Sequence, residues 1–164
     1  MKQNFIAGFT ASNFTLKRNL DEISDFESII QPKLKGNCIN WNAGHILMVR
    51  DQMLTMFNCP SFLTEKETSY YASGSKPIND VSERIPIGKI KEGLDKTFKT
   101  LIENLSEVDN TFLNNSIPND KIPVPIPEPT VAKLFAILLY HEGYHTGQIG
   151  LSRRLLGKEF NTKL

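Results

Sequence analysis

The sequence predicts an all-α protein, a four-helix bundle with two long loops. Three observations carry that expectation. Four stretches place apolar residues at three- and four-residue steps, the period of a helix with one buried face. No stretch sustains the strict apolar–polar alternation of a half-buried strand. Proline and glycine breakers follow or separate the four stretches, which are similar enough in length to bury their stripes against one another.

The first stretch, residues 13–30, carries Leu16, Leu20, Ile23, Phe26 and Ile30, and Pro32 and Gly36 stop it. The second, residues 40–57, includes Val49, Met53 and Met56 and ends at Asn58 and Pro60. The third starts at Pro86, which suits a first helical position because its missing N–H costs nothing there. Its stripe is Ile87, Ile90, Leu94, Phe98, Leu101 and Leu105. The fourth begins after Pro129 and reaches Leu156, with Gly157 as its C-terminal stop.

The two long connections are residues 58–85, rich in turn formers such as Ser73-Gly74-Ser75 and Asn79-Asp80, and residues 114–129. The latter hold five of the nine prolines, which should keep the segment out of helix. Within it, Lys121-Ile122-Pro123-Val124-Pro125-Ile126-Pro127 reads as a stiff, extended strap leading into the fourth helix. Ile122, Val124 and Ile126 are expected to wall a substrate cleft, make a dimer contact, or simply lie on the surface.

The 164 residues suit one domain spanning 1–164. With 19 basic and 18 acidic residues interspersed, no basic stripe argues for nucleic acid as a partner. No apolar run is long enough to cross a membrane, and the first residues lack the apolar core of a secretory signal. Two cysteines, Cys38 and Cys59, are too few for a disulfide framework and suit a reducing compartment, so a cytoplasmic location is expected.

The chain has three histidines. His141 and His145, four residues apart on the fourth helix, lie about 40° apart around its axis, one turn from each other. They share a face with Leu134, Leu138, Gln148 and Ser152. His45 shares its face of the second helix with Trp41, Val49, Gln52 and Met56. Both helices thus aim imidazoles at the bundle interior, where an unpaired polar group is costly and coordination to a divalent metal would satisfy it. Three neutral imidazoles with an open position match a catalytic zinc site better than a structural one. Gly44, Gly143 and Gly147 flank the histidines, which fits close helix approach, room for substrate, or ordinary tight packing. Gln148 is placed to orient a ligand or to bond between helices. Cys38 is placed as a buried structural thiol or a group behind the site. Arg153 and Arg154 could pair an anionic substrate or simply complement the helix end.

Asn40-Trp41-Asn42-Ala43-Gly44-His45 and His141-Glu142-Gly143-Tyr144-His145-Thr146-Gly147-Gln148-Ile149-Gly150 resemble the DinB superfamily, including its YfiT-like members. That family carries W-x-x-x-H on its second helix and H-x-x-x-H-x-G-Q-I on its fourth. The resemblance runs through essentially the whole chain in helix order and length. It implies a four-helix bundle of unusual connectivity, three histidine ligands, one zinc or nickel ion and often a homodimer. It also implies, for some members, transfer or isomerisation chemistry with low-molecular-weight thiols. A small-molecule substrate, a metal-dependent S-transferase or hydrolase, and a non-catalytic metal-stabilised stress protein are the functions left open. His141-Glu142-x-x-His145 also matches the zinc metallopeptidase signature, with Glu142 as general base. That reading needs a third ligand downstream, and only Glu159 follows, beyond the Gly157 stop. Glu142 is otherwise expected to be solvated or to stand behind the metal ligands.

Overall fold

The computed structural model describes residues 1–32, 36–78 and 83–159, and for Lys121 the backbone alone. Among these residues the protein is helical, with no named strand and a single isolated bridge between Ser116 and Thr130. Four long helices form the body: α1 (Lys2–Leu20), α3 (Ile39–Leu54), α5 (Ile87–Glu107) and α7 (Val131–Leu155). Three short helices lie in the connections: α2 (Asp25–Ser28), α4 (Glu65–Tyr70) and α6 (Asn110–Asn114).

The first helix departs most from expectation. It begins at Lys2 rather than near residue 13 and ends at Leu20 rather than Ile30. Its buried face is Phe5, Phe9, Asn13, Leu16 and Leu20, so the apolar period continues toward the N-terminus once Asn13 is read as a core residue. The chain turns at Glu22, which has φ 54°, and restarts as α2. There Ser24 and Glu27 form a reciprocal capping box. Phe26 and Ile30, expected on the buried stripe, are exposed for that reason, while Ile23 stays buried.

The other long helices match the reading closely. Helix α3 ends in a 3₁₀ turn at Thr55–Phe57, closed by Asn58 in the left-handed region. Pro86 is the residue before α5 rather than its first turn. Gly157, at φ 75°, follows the end of α7. Of the turn residues expected in the first long connection, Asn79 and Asp80 lie outside the described residues. The proline-rich segment is not wholly free of helix: Asn119–Lys121 make one 3₁₀ turn, which fits in the gap between Pro118 and Pro123.

Contacts fix the directions of the helices. Lys2 donates to the Ser106 carbonyl while Lys17 pairs with Asp95, so α1 and α5 are antiparallel. Gly8 faces Leu139 and Asn19 donates to the Thr146 carbonyl, so α1 and α7 run parallel. Asn40 reaches Ile85 and Leu47 packs on Gly93, making α3 and α5 parallel. Asn42 meets His145 while Met53 and Phe135 share one apolar cluster, so α3 and α7 are antiparallel. The topology is up-down-down-up. A parallel pair of neighbours requires the chain to return the length of a helix, about 1.5 Å per residue, which explains the long connection between α3 and α5.

The core has two apolar clusters, one around Trp41, Ile46 and Ile90 and one around Phe9, Leu101 and Phe135. Between them lies a buried polar layer centred on Arg50. Its guanidinium donates two hydrogen bonds of 2.7 Å to the Glu142 carboxylate, one to Asn13 and one to the Leu94 carbonyl, touching α7, α1 and α5 from α3.

Candidate metal centre

The three histidines converge. His45 Nε2 lies 3.1 Å from His141 Nε2, which lies 3.2 Å from His145 Nε2. Each residue presents a ring nitrogen within 4.8 Å of the others. The backbone explains the placement: α3 and α7 are antiparallel neighbours, and one turn of α7 separates its two histidines.

What surrounds the rings decides which nitrogens are free. His45 Nδ1 lies 2.6 Å from the Tyr71 carbonyl, an obligate acceptor, so this nitrogen carries the proton. His145 Nδ1 lies 2.8 Å from Asn42 Oδ1. The Asn42 amide cannot be reversed without loss, because its Nδ2 already donates to the Asn37 and Cys38 carbonyls. His145 Nδ1 therefore donates as well, and both rings turn unprotonated Nε2 atoms toward His141. A neutral His141 has one proton to offer, and its Nδ1 is buried with no hydrogen-bond partner among the described residues. With the proton on Nε2 its Nδ1 is left unpaired; with the proton on Nδ1, three lone pairs face one another. A cation resolves the conflict, and the spacing suits one: three ligands about 2.0–2.1 Å from a tetrahedral ion stand about 3.3 Å apart.

Burial keeps the rings neutral. It pushes His45 and His141 below the ordinary imidazole value, with His45 adding to the effect on His141. Burial, with the other two imidazoles, lowers His145 to about 4. Trp41 stacks on His45 at 4.7 Å between centroids and 11° between planes, and its indole N–H is tied to Ser75. Tyr71 in turn is pinned by its hydroxyl, which donates to Asn40 and accepts from the Ile85 amide. Burial raises that phenol well above its ordinary value.

The flanking glycines divide. A Cβ on Gly44 would lie 2.2–2.5 Å from the Tyr71 ring, so close approach is required there. Gly143 and Gly147 face open space, with nothing within 4 Å of such an atom. Glu142 is buried, and its carboxylate oxygens are both taken by Arg50, which leaves it no hydrogen bond to the histidines and no access as a general base. Gln148 lies beside His145 and donates to the Tyr144 hydroxyl at 3.2 Å. Cys38 caps α3, its sulfur accepting the Trp41 amide, and burial raises its thiol. Arg153 is buried against the end of α1, bonding to the Asn19 and Asp21 carbonyls, and Arg154 is exposed. Asn42 and Tyr71 were missed by the reading of the sequence. An asparagine inside an apolar helix, three residues before a histidine, was the available sign of the first; the loop residue Tyr71 offered none.

A cavity of about 940 Å³ opens onto His45 and His141. The strap forms part of its wall through Ile122, Pro123 and Val124, with Ile117 just before it, while Ile126 does not line the cavity. The strap is fastened at both ends: Ile117 N–H donates to the Pro129 carbonyl and Val131 N–H to the Asn115 carbonyl. Lys133 also holds the Pro127 and Glu128 carbonyls.

An up-down-down-up helical protein with three histidines facing one another from its second and fourth long helices is a bundle built around a candidate metal site. The sequence profile of the DinB superfamily matches residues 15–149, and the chain belongs to that superfamily. No protein of curated function matches it in sequence. Its fold is similar to the crystal structure of a conserved protein from Enterococcus faecalis. The TM-score is 0.73 at 16% identity, over 96% of this chain and 98% of the other. No helix among the described residues is long and apolar enough to cross a membrane.

Proposed function

We propose that this protein is a metal-dependent enzyme that activates a low-molecular-weight thiol and joins its sulfur to a small electrophile bound in the cavity. The observation that supports this reading is the meeting of three imidazole nitrogens beside a substrate-sized cavity that His45 and His141 line. A divalent ion held by His45, His141 and His145, zinc or nickel, would act as a Lewis acid, lowering the pKa of a thiol or water that reaches its open position. The chain's own residues prepare the site. The Tyr71 carbonyl and Asn42 hold protons on Nδ1, keeping Nε2 of His45 and His145 free. Trp41 fixes the plane of the His45 ring. In the reaction the thiol sulfur bonds to the electrophilic carbon, the leaving group departs with its electron pair, and the thiol proton passes to solvent.

The test loads purified protein with zinc or nickel and mixes it with glutathione or cysteine and 1-chloro-2,4-dinitrobenzene, following thioether absorbance. Metal-dependent thioether formation that disappears in His141→Ala is expected. Chloride release without incorporation of the thiol would replace the reading with a hydrolase. Stoichiometric metal without turnover across a panel of thiols and electrophiles would replace it with a non-catalytic, metal-stabilised protein.

A further inference from the structure

The cavity beside the histidines is largely apolar, with the neutral polar side chains of Gln52, Thr68, Ser73 and Tyr140 also on its wall. Helix α3 contributes Val49 and Met53, the 3₁₀ turn after it Met56, α7 contributes Leu138, and the strap contributes Ile122 and Val124. Methionine side chains are flexible and polarizable, so they fit apolar ligands of irregular outline. Among the described side chains that line the cavity, Asp120 is the one charged group, and it is acidic. Arg153 and Arg154, the basic residues that a sequence reading would offer to an anionic substrate, do not line it. At about 940 Å³ the space stands at the upper end of small-molecule sites, which run to roughly 300–1,000 Å³.

We infer that this cavity binds an extended, uncharged, apolar substrate, an alkyl chain or linked aromatic rings, with its reactive end at His45 and His141. The assignment deepens the proposed enzymatic function and rests on it for the word substrate; the binding itself does not require the ion. In the metal-free protein an anionic group in the cavity would lose its hydration without gaining a cation from the described walls, and would face Asp120. An apolar chain gains by burial against the methionines and the strap, at roughly 25 cal/mol per Å². The strap is fastened at both ends and rich in proline, so it loses little conformational freedom when it closes on a ligand.

The experiment uses the neutral fluorophore N-phenyl-1-naphthylamine as probe on metal-free protein, displaced by 1-decanol, by decanoate, or by ethanol, because an ion at the histidines would itself hold a carboxylate. Saturable binding of one probe per chain is expected. Displacement by decanol should be at least tenfold tighter than by decanoate, with ethanol ineffective. Val124→Asp, a half-exposed position on the strap, should weaken decanol at least tenfold while leaving helicity and zinc stoichiometry unchanged. Equal displacement by decanoate, absence of saturable probe binding, or an unchanged Val124→Asp would each overturn the assignment. Zinc binding measured on the same samples separates the two readings: zinc bound without decanol sinks this inference alone, and decanol bound without zinc sinks the metal reading alone.

Discussion

At the scale of single residues, the three imidazoles owe their shared orientation to two neighbours rather than to their own spacing. His45 and His145 are each anchored through Nδ1, by a loop carbonyl and by an asparagine amide whose own donors are already engaged. Groups that orient metal-binding histidines typically contribute about 10- to 100-fold in affinity. Asn42→Ala should therefore weaken zinc binding about 10- to 100-fold by calorimetry, while far-ultraviolet circular dichroism stays the same. An unchanged affinity would mean the ring needs no anchor. The histidines themselves were legible because they are few, and because a four-residue spacing on one helix has a single geometric meaning. Tyr71 was not legible, since a loop residue that contributes its main-chain carbonyl leaves no trace in side-chain pattern. Glu142 was legible as a motif letter but misleading as chemistry, because its partner Arg50 stands 92 positions away.

Among the helices, the glycines give a contrast that sequence alone could not draw. Gly44→Ala drives a methyl into a Tyr71 ring that is held in place by Asn40 and Ile85, so it should destabilise the fold and displace the carbonyl that anchors His45. Gly143→Ala and Gly147→Ala enter open space on an exposed helical face and should stabilise by up to about 1 kcal/mol each. Thermal melts of the three variants check this; a lower midpoint for the latter two would show an unseen neighbour. Asp25 illustrates a contact between short and long helices. It pairs with Arg84 and accepts the Ile87 amide at the start of α5, and these hydrogen bonds, Arg84 foremost, pull its carboxyl down to about 2. Because the folded value is depressed, the unfolded chain takes up the proton first. The stabilisation is complete above the ordinary carboxylate range and is lost as pH falls from about 4 through 2. The site is half exposed, so screening limits it to about 1 kcal/mol. Urea midpoints of the protein and of Asp25→Asn should differ at pH 6 and converge near pH 2; a gap independent of pH would contradict the assignment. The misplaced boundary of α1 has the same kind of cause. Asn13 interrupts the apolar stripe in the sequence, yet it is buried because Arg50 needs its oxygen.

For the molecule as a whole, Arg50 ties the four long helices together, and it is nearly inaccessible, as is its partner Glu142. A buried pair costs desolvation to form, but removing one member strands the other charge, typically at 3–5 kcal/mol. Glu142→Ala should lower stability by about that amount. The double variant Arg50→Met with Glu142→Leu should recover much of it, as denaturant titration would show; a mild single variant would mean that water reaches the site. The bundle class was readable because amphipathic period and breakers are local properties. The up-down-down-up order was not, because it depends on which helices pack side by side, and that follows from complementary faces distant in the chain.

The central claim, that three histidines from two antiparallel helices form one metal site, is tested most directly by counting ions. Purified protein titrated with zinc or nickel and analysed by native mass spectrometry should bind one ion per chain. His45→Ala, His141→Ala and His145→Ala should each abolish stoichiometric binding while retaining most of the helicity. Full occupancy in any one of these variants, or no stoichiometric ion in the unaltered protein, would contradict the account.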